Sequence, residues 1–446
     1  MRRDDSLSLT KSKKKFTTRR ELLKIWMKQH IDVMRGNLEL YELTHRCIAV
    51  QTQKGFRLVD DSDKELLLKA YMDYISKSNL ISIPNIPIPK DDEIFSDLFP
   101  IEQYNMLFSP RQALALDTLI SYTRSKIREL IEKEGEFGAA LGLYLALGVD
   151  RVADFNSIIT TWNHNILTIR DSIGSYYKFR LEGIYAEAIV PYRTLNWVYE
   201  PEINKKTAGG ICPVVKELAE KLEGKNCQIY TYMCDVMKLS RNFKSIADVI
   251  NVDPPYYDQH VYSDFSEFFW PLLKTMLEPA ISLLFYKRIL IDWSPTSWTV
   301  PKSNEIISRK SDKRAFEIKL EAALKEMRAT LKDYGLLVFW FSHRSMDAWK
   351  AAVEALAKAG FSITAIIPLP SEHPTRSITR GGQTGINRVL ILVARKKETV
   401  KERDQAEILN RFKNYILESK LYPGEVISEE EIQLLTMAAT YALSKC

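Results

Sequence analysis

The chain is poor in cysteine, with five among its 446 residues, at positions 47, 212, 227, 234 and 446. No Cys-x-x-Cys pair occurs among them, so the sequence indicates neither a zinc ribbon nor a redox dithiol. We expect reduced thiols, most of them buried.

Long apolar runs are also absent. The most apolar stretch, around 271–293, contains four charged residues: Lys274, Glu278, Lys287 and Arg288. The first thirty residues lack the apolar region of a signal peptide. Together these absences predict a soluble, intracellular chain without a membrane span.

An excess of one charge is confined to the beginning of the chain. The net charge is +6, and residues 1–35 contain eleven Lys/Arg against four Asp/Glu, a local +7. A basic arm before a near-neutral body favours contact with the phosphates of a nucleic acid, and Lys13, Lys14 and Lys15 are its candidate residues. The alternatives are a solvated, disordered terminus or a subunit contact.

The first half of the chain is predicted to be mainly helical. Apolar residues recur at helical spacing over about 18–41, 63–78 and 109–161, and two short strands are expected within 46–59. The glycine-rich piece 135–142 has helical flanks and no preceding strand, so we interpret it as a helix-packing site and not as a cofactor loop.

From about residue 225 onward, strands alternate with helices. The candidate strands are 227–233, 248–253, 335–342, 361–367 and 388–394. A helix at 344–359 follows the third strand, and another, ended by Gly335, precedes it. Apolar strands joined by helices predict an α/β fold with a mostly parallel sheet covered on both faces, whose ligands bind beyond the carboxyl ends of the strands.

These patterns and a proline-rich stretch at 83–89 predict the limits of the domains. We predict a basic arm with a small α/β subdomain, a linker, a helical region for target recognition or partner contact, a catalytic domain and a helical tail. Their respective limits are 1–82, 83–100, 101–210, 211–400 and 401–446.

One motif carries chemistry. The apolar strand ending at Val252 leads directly into Asp253-Pro254-Pro255-Tyr256. An exocyclic amine of a nucleic-acid base is a poor nucleophile, and two acceptors that bind its hydrogens free its lone pair. Asp253 offers a carboxylate and Pro254 a carbonyl, which the two prolines keep oriented.

The tyrosines after the prolines complete this interpretation. Tyr256, with Tyr257 beside it, offers a ring face on which a base rotated out of the duplex can stack. Asp253, Pro254, Pro255 and Tyr256 are therefore the candidate catalytic residues. The alternative is a surface turn stiffened by two prolines.

Further motifs resemble a family, the predicted adenine-specific DNA methylases that often contain a zinc ribbon. The resemblance covers roughly residues 55–397. Its motifs are Leu107–Gln112, Asp150–Asn156 with Trp162, Tyr185–Glu187, Asp253–Phe269 with Tyr262, Asp264, Phe265, Ser266 and Phe268, Phe341–Ser345, and Ala359–Phe361.

The resemblance implies transfer of a methyl group from S-adenosylmethionine to N6 of adenine, with N4 of cytosine as the alternative target. It implies a Rossmann-like methyltransferase sheet and base flipping in duplex DNA. Asp235, Asp253 and Pro254 would bind the cofactor, Asp235 at its adenine. For Asp235 the alternative is a surface carboxylate at a strand end.

The chain departs from the family in two respects. It has no Phe-x-Gly-x-Gly loop for the cofactor's methionine moiety, and it lacks the zinc-ribbon cysteines. Its glycine clusters, Gly209-Gly210 and 381–385, are misplaced for such a loop. The chain thus resembles the family's C-terminal portion encoded separately. We expect a sheet that is incomplete without a partner subunit, which supplies the glycine loop in a heterodimer.

Several polar residues remain open to two interpretations. His343 follows a strand and is either a base for the methylated amine or, as we favour, a structural histidine, whereas His164 and His260 are expected to be ordinary polar residues. Basic residues of the loop 302–314 are candidate phosphate contacts or a solvated loop: Lys302, Arg309, Lys310, Lys313 and Arg314.

Two competing functions remain at this point. One is an RNA or tRNA amino-methyltransferase, and the other is a non-catalytic subunit that positions DNA for an active partner. Within the DNA-methyltransferase interpretation, restriction-modification is one biological setting, and the expected location is the cytoplasm in association with the nucleoid.

Overall fold

The computed structural model describes residues 19–52, 55–89, 100–163, 168–172, 185–187, 211–257, 261–308, 314–370, 388–399, 405–418 and 427–446. The chain forms two compact units. Unit 1 contains Met1–Asn226 and Phe268–Leu284, and unit 2 contains Cys227–Glu267 and Phe285–Cys446. The predicted segments 1–82, 83–100 and 101–210 thus share one unit. Within the described ranges, no helix is long and apolar enough to cross a membrane.

Unit 1 is mainly helical, as predicted. In chain order, its elements up to residue 226 are α1 (Arg19–Met34), α2 (Leu38–Thr44), β1 (Ala49–Thr52), β2 (Gly55–Leu58), α3 (Asp61–Lys77), α4 (Pro110–Asp154), β3 (Thr161–Asn163), β4 (Thr168–Arg170) and α5 (Ile211–Leu222). The single helix expected over 18–41 is divided into α1 and α2, because Gly36 adopts a φ of 108°. The two short strands predicted within 46–59 are present as β1 and β2, which pair antiparallel.

The long helix α4 begins with a capping box. The Ser109 hydroxyl accepts a hydrogen bond from the backbone N–H of Gln112, whose side chain accepts one from the backbone N–H of Ser109. Gly135, at φ 58°, interrupts the helix, and the chain folds back so that a Cβ on Gly138 would lie 2.0 Å from the carbonyl oxygen of Leu130. The packing interpretation of the glycine-rich piece is confirmed.

Unit 2 is built around a four-stranded sheet. In chain order from residue 227, the elements are β5 (Met233–Cys234), β6 (Ala247–Val252), α6 (Tyr262–Leu277), α7 (Ile281–Phe285), β7 (Ile289–Leu290), α8 (Arg314–Thr330), β8 (Leu331–Phe341), α9 (Met346–Lys358), β9 (Phe361–Pro370), β10 (Arg388–Lys396), α10 (Gln405–Glu418) and α11 (Glu429–Lys445). Residues of α6 and α7 are divided between the two units.

The order of the main sheet is β6-β8-β10-β9. β6 and β8 are parallel, but β10 runs antiparallel to both β8 and β9. The fold is therefore mixed α/β, and the expectation of a mostly parallel sheet was wrong. The sequence contained a signal for this direction, because no helix was predicted between the last two strands, and parallel neighbours are usually joined by a crossover helix.

The core of unit 2 lies against one face of this sheet. Leu337, Phe339 and Phe341 alternate along β8 and are fully buried, together with Leu324 of α8 and Trp349 of α9. Side chains on the opposite face of β8 are half-buried. On β6 the side chain of Val249 is 54% exposed. The prediction that helices cover both faces of the sheet is therefore wrong for this strand.

Two further expectations were wrong. Of the predicted strand 227–233, only Met233 belongs to a strand, and Ile229 and Tyr230 are exposed, since no neighbour among the described residues pairs with them. Gly335 does not end a helix but lies within β8, where a Cβ would meet the carbonyl oxygen of Ala247 at 3.2 Å. Such close approach of two strands is a usual reason for a glycine inside a strand.

Candidate active site

The Asp253 motif lies at the carboxyl end of β6, as the sequence predicted. Val252 is the last residue of the strand and is in register with Phe339 of β8. The Asp253 side chain is exposed, and no described residue donates a hydrogen bond to it, whereas Pro254 after it is buried. A carboxylate that is free of the fold and is followed by a rigid, buried proline can accept hydrogen bonds from a ligand.

The two tyrosines of the motif pack against the edge of the core. The Tyr256 ring is half-buried and lies edge-on to Phe341, with 5.5 Å between the ring centroids. The Tyr257 ring lies 5.1 Å from Phe316 and 5.8 Å from His343. Tyr256 therefore has one side against the protein, and Tyr257 is held between two rings. Base stacking by either residue stays a prediction.

Tyr257 also has an unusual backbone. Its φ of 59° lies in the left-handed region, which costs a residue with a Cβ roughly 1–2 kcal/mol. The conformation turns the chain sharply after the two prolines. Ser308 stabilises the turn, because its backbone N–H donates to the Tyr257 carbonyl at 2.9 Å.

His343 lies at the same end of the sheet as the motif, but its contacts are those of a structural residue. Its Nδ1 accepts a hydrogen bond from the backbone N–H of Ser345 at 3.0 Å, and its carbonyl accepts one from the Trp349 indole at 2.9 Å. The neutral ring therefore carries its proton on Nε2. These bonds fix the turn before α9 and favour the structural interpretation.

Asp235, the expected contact of the cofactor adenine, is engaged within the chain. Its side chain is 4% exposed. One carboxylate oxygen accepts from the backbone N–H of Met237 at 2.9 Å and caps the short helix Val236–Arg241, and the other accepts from the Asn304 amide at 2.9 Å. Burial, and next the Asp235 charge, raise the pKa of the neighbouring Cys234 thiol. The geometry therefore favours a structural role for Asp235.

Among the candidate phosphate contacts, Lys302 is paired with carboxylates. Its Nζ lies 2.7 Å from Glu267 and 3.3 Å from Asp264, with 13% of the side chain exposed. Arg314 is exposed at the beginning of α8. The other predicted nucleic-acid contacts lie outside the described residues: Lys13, Lys14, Lys15, Arg309, Lys310 and Lys313. So do His164, His260 and the glycine clusters 209–210 and 381–385.

In unit 1, two of the resemblance motifs meet in a polar network. Glu187 pairs with Arg111 and also accepts a hydrogen bond from the Ser109 hydroxyl at 2.7 Å. The backbone of Ala186 accepts a hydrogen bond from Thr160. The motifs therefore hold the segment 185–187 against the beginning of α4.

A chain of buried hydrogen bonds continues from this network. The Met106 carbonyl can only accept, so His30 donates to it through Nε2 at 2.6 Å. Neutral His30 then accepts from Nε2 of His45 at 3.0 Å, and His45 accepts from the Tyr185 hydroxyl at 2.7 Å. Burial lowers the pKa of His30 to about 4, and burial together with His30 holds the pKa of His45 well below its ordinary value.

Sequence reasoning missed these histidines, although a signal was present. His30 follows Trp26 and Met27 at helical spacing, which places an imidazole on the buried face of α1. His45 has no such signal, because its partners are distant in sequence. Asp150 of α4 is also buried, and burial, followed by the charge of Asp154, raises its pKa well above the ordinary value.

Within the described ranges, no three His, Cys, Asp or Glu side chains are grouped so that they could hold a metal ion. Comparisons with protein-family models, curated proteins and solved structures find no match to this chain. The resemblance to the adenine-specific DNA methylases therefore stays a prediction from the residues.

Proposed function

We propose that this chain is the catalytic subunit of an S-adenosylmethionine-dependent DNA amino-methyltransferase, acting on N6 of adenine, with N4 of cytosine as the alternative. The proposal includes a partner subunit that completes the cofactor pocket. Its main support is the exposed Asp253 carboxylate, which has no described partner and stands at the carboxyl end of a strand in a mixed α/β unit.

The chemistry assigns a role to two groups of the motif, the Asp253 carboxylate and the Pro254 carbonyl. S-adenosylmethionine, when bound, supplies an electrophilic methyl group. The Asp253 carboxylate and the Pro254 carbonyl accept the two hydrogens of the target amine and localise its lone pair for attack. As the nitrogen–carbon bond forms, the sulfur–carbon bond breaks and sulfur keeps its electron pair. The surplus amine proton then passes to solvent, to which Asp253 is exposed.

The described residues fit only part of the cofactor. Asp253 and Pro254 suit the end where the methyl group is transferred. Asp235 is buried and engaged by Met237 and Asn304, so it does not offer a free acceptor to the adenine. No glycine-rich loop that leaves a strand and opens a helix is present in the described ranges. This incomplete fit is the first support for a partner.

The second support is the open edge of the sheet. Among the described residues, β6 pairs only with β8, so its other side has unpaired backbone groups. Ile246 and Val249 are 56% and 54% exposed along it. Folded proteins protect or pair such an edge, because it is a template for another strand. We therefore place the partner's strand beside β6, next to the Asp253 motif.

Calorimetry and methyl incorporation test the proposal. The isolated full chain should bind S-adenosylmethionine poorly, because each lost hydrogen bond to a charged group costs roughly 1.5–3 kcal/mol. Co-expression with a subunit that bears a Phe-x-Gly-x-Gly loop should give a heterodimer that methylates duplex DNA. Micromolar cofactor binding by a monomer of the chain alone would show that no partner is needed.

A paired variant experiment tests the position of the partner. Val249→Lys places a charge at the open edge and should prevent heterodimer formation. Ile318→Lys is the matched control, since Ile318 is 67% exposed and belongs to helix α8 instead of the sheet. Size-exclusion chromatography of the co-expressed pair should show a complex with the control only. Equal assembly by both variants would exclude pairing at β6.

One observation favours a competing function. The engagement of Asp235 within the chain is compatible with a non-catalytic subunit that positions DNA for an active partner. Incorporation assays decide between these possibilities. Methylation of duplex DNA that is lost with Asp253→Asn supports the proposal, methylation that survives it supports the non-catalytic subunit, and labelling of structured RNA alone supports an RNA methyltransferase.

A further inference from the structure

A short segment of unit 2, residues 302–308, contacts Asp235, α6, α8 and the end of the Asp253 motif, and we call it the brace. The Asn304 amide donates to Asp235 at the end of β5 at 2.9 Å. Lys319 of α8 donates to the carbonyls of Ser303 and Glu305 at 2.7 and 2.9 Å. The brace is therefore fixed to two elements before it reaches the Asp253 motif.

At its centre, Glu305 caps α6. One carboxylate oxygen accepts from the backbone N–H of Ser263 at 3.0 Å, and the other accepts from the Ser263 hydroxyl at 2.6 Å. Ser263 is the second residue of the helix, so its N–H has no acceptor within α6. A carboxylate at this position also interacts favourably with the helix dipole.

At its beginning, Lys302 neutralises two acidic residues of α6. The Asp264 side chain is fully buried and that of Glu267 is 4% exposed, and both lie within reach of the Lys302 ammonium group. Two buried carboxylates one helical turn apart repel each other unless a cation lies between them. The first turns of α6 thus depend on the brace for both capping and charge.

At its end, the brace holds Tyr257 through Ser308. Its N–H donates to the carbonyl of Tyr257, the residue in the left-handed conformation directly after the Asp253 motif. The chain from Tyr257 to Ser263 is therefore bound at both ends by one segment. Residues only three positions apart, Glu305 and Ser308, set the separation of these ends.

We infer that the brace orients the Asp253 motif for catalysis, with Glu305 as its main positioning residue. This inference rests on the proposed function. Glu305 does not touch the reacting atoms but acts through Ser263, which lies six positions after Tyr257. Releasing Ser263 from the brace loosens the hold on the chain that follows the Asp253 motif, and misplacement of the carboxylate by about 1 Å can cost on the order of 10²-fold in rate.

Three variants in the full chain test the inference. Glu305→Ala removes both hydrogen bonds to Ser263. Glu305→Gln keeps one oxygen that accepts from the Ser263 N–H and introduces an NH2 group beside the Ser263 hydroxyl, which can accept from it. Glu317→Ala is the matched control, because Glu317 is exposed on α8 and its side chain forms no hydrogen bond or ion pair with a described residue.

Hydrogen exchange followed by mass spectrometry is the first measurement. Peptides that cover 256–266 should exchange about tenfold faster in Glu305→Ala than in the wild type, with near wild-type exchange in Glu305→Gln and Glu317→Ala. Peptides of β8 should be unchanged in all three. Unchanged exchange in Glu305→Ala, or acceleration throughout unit 2, would overturn the inference.

Steady-state kinetics of the co-expressed heterodimer are the second measurement. Glu305→Ala should lower kcat about tenfold or more, with little change in KM for S-adenosylmethionine, and Glu305→Gln should restore most of it. A rise in KM alone would contradict a role in orienting Asp253. If the wild-type heterodimer transfers no methyl group, the proposed function fails, whereas the exchange experiment still decides whether Glu305 orders the chain that follows the Asp253 motif.

Discussion

The two units use polar side chains in opposite ways. In unit 1, His30 and His45 are buried and Tyr185 is half-buried, and the hydrogen bonds among them run in a single direction that ends at the Met106 carbonyl. In unit 2, the Asp253 carboxylate is exposed, and no described residue donates to it. These three side chains of unit 1 find their hydrogen-bond partners within the fold, whereas Asp253 has none among the described residues.

This difference separates structural from functional polar residues more clearly than the motifs do. The resemblance includes Asp150 and Glu187 as well as Asp253. Burial raises the pKa of Asp150 well above its ordinary value, and Glu187 is paired with Arg111. Asp150 is buried and Glu187 is engaged within the fold, so under the proposed function only the Asp253 motif takes part in the chemistry.

The largest expected effect comes from replacing Asp253 of unit 2 with asparagine, and the same replacement of Asp150 in unit 1 is the comparison. Asp253→Asn removes an oriented charged acceptor and should lower methyl transfer by the heterodimer by about 10²–10³-fold, without changing the stability of the chain. Asp150→Asn replaces a buried carboxyl group, whose ionised form is disfavoured by burial and by the charge of Asp154, with a neutral amide of similar shape. It should leave activity within about twofold and keep or increase stability at pH 7.

Activity assays and urea unfolding of both variants check this contrast. Near wild-type turnover by Asp253→Asn would remove the functional assignment of unit 2. A large loss of activity in Asp150→Asn, with stability maintained, would show that unit 1 contributes to the chemistry.

Sequence reasoning succeeded where the physical cause is local. The strands β6, β8, β9 and β10 follow from apolar runs, and Asp253 follows from its position after one of them. It failed where the cause is distant. The direction of β10 is set by pairing, Asp235 is engaged by an asparagine 69 positions away, and Lys302 is paired with carboxylates more than thirty positions earlier.

The second prediction is an acid dependence of unit 1. Burial lowers the pKa of His30 to about 4, below its unfolded value of 6.5, so its contribution to stability is complete above pH 6.5 and is lost as the pH falls towards 4. The loss should be roughly 1.4 kcal/mol per pH unit for each buried neutral histidine. Asp150 acts in the opposite direction, because its folded pKa is raised, so its contribution is lost as the pH rises above 3.8.

The Asp150→Asn variant isolates the histidines. Without the opposing carboxyl group, the free energy of unfolding should decrease more steeply between pH 6.5 and 5 than in the wild type. Urea unfolding at several pH values, followed through exchange of peptides from α1, measures the slope. A slope near zero in this variant would mean that His30 and His45 accept protons within the folded state at little cost.

The smallest expected effect is the loss of one hydroxyl group. Tyr185→Phe leaves the Nδ1 of His45 without its donor in a buried position, and this should cost about 1–3 kcal/mol of stability. Tyr122→Phe is the control in the same unit, since Tyr122 is 70% exposed and has no described partner, and it should change stability by less than about 0.5 kcal/mol.

The same two variants also test whether the hydrogen-bond chain serves the reaction. The chain of donors ends at the Met106 carbonyl and includes no residue of the Asp253 motif, so neither variant should alter kcat once the protein is folded. A fall in kcat for Tyr185→Phe alone, at a temperature where it is fully folded, would mean that the hydrogen-bond chain of unit 1 serves the reaction and that the division between the two units is wrong.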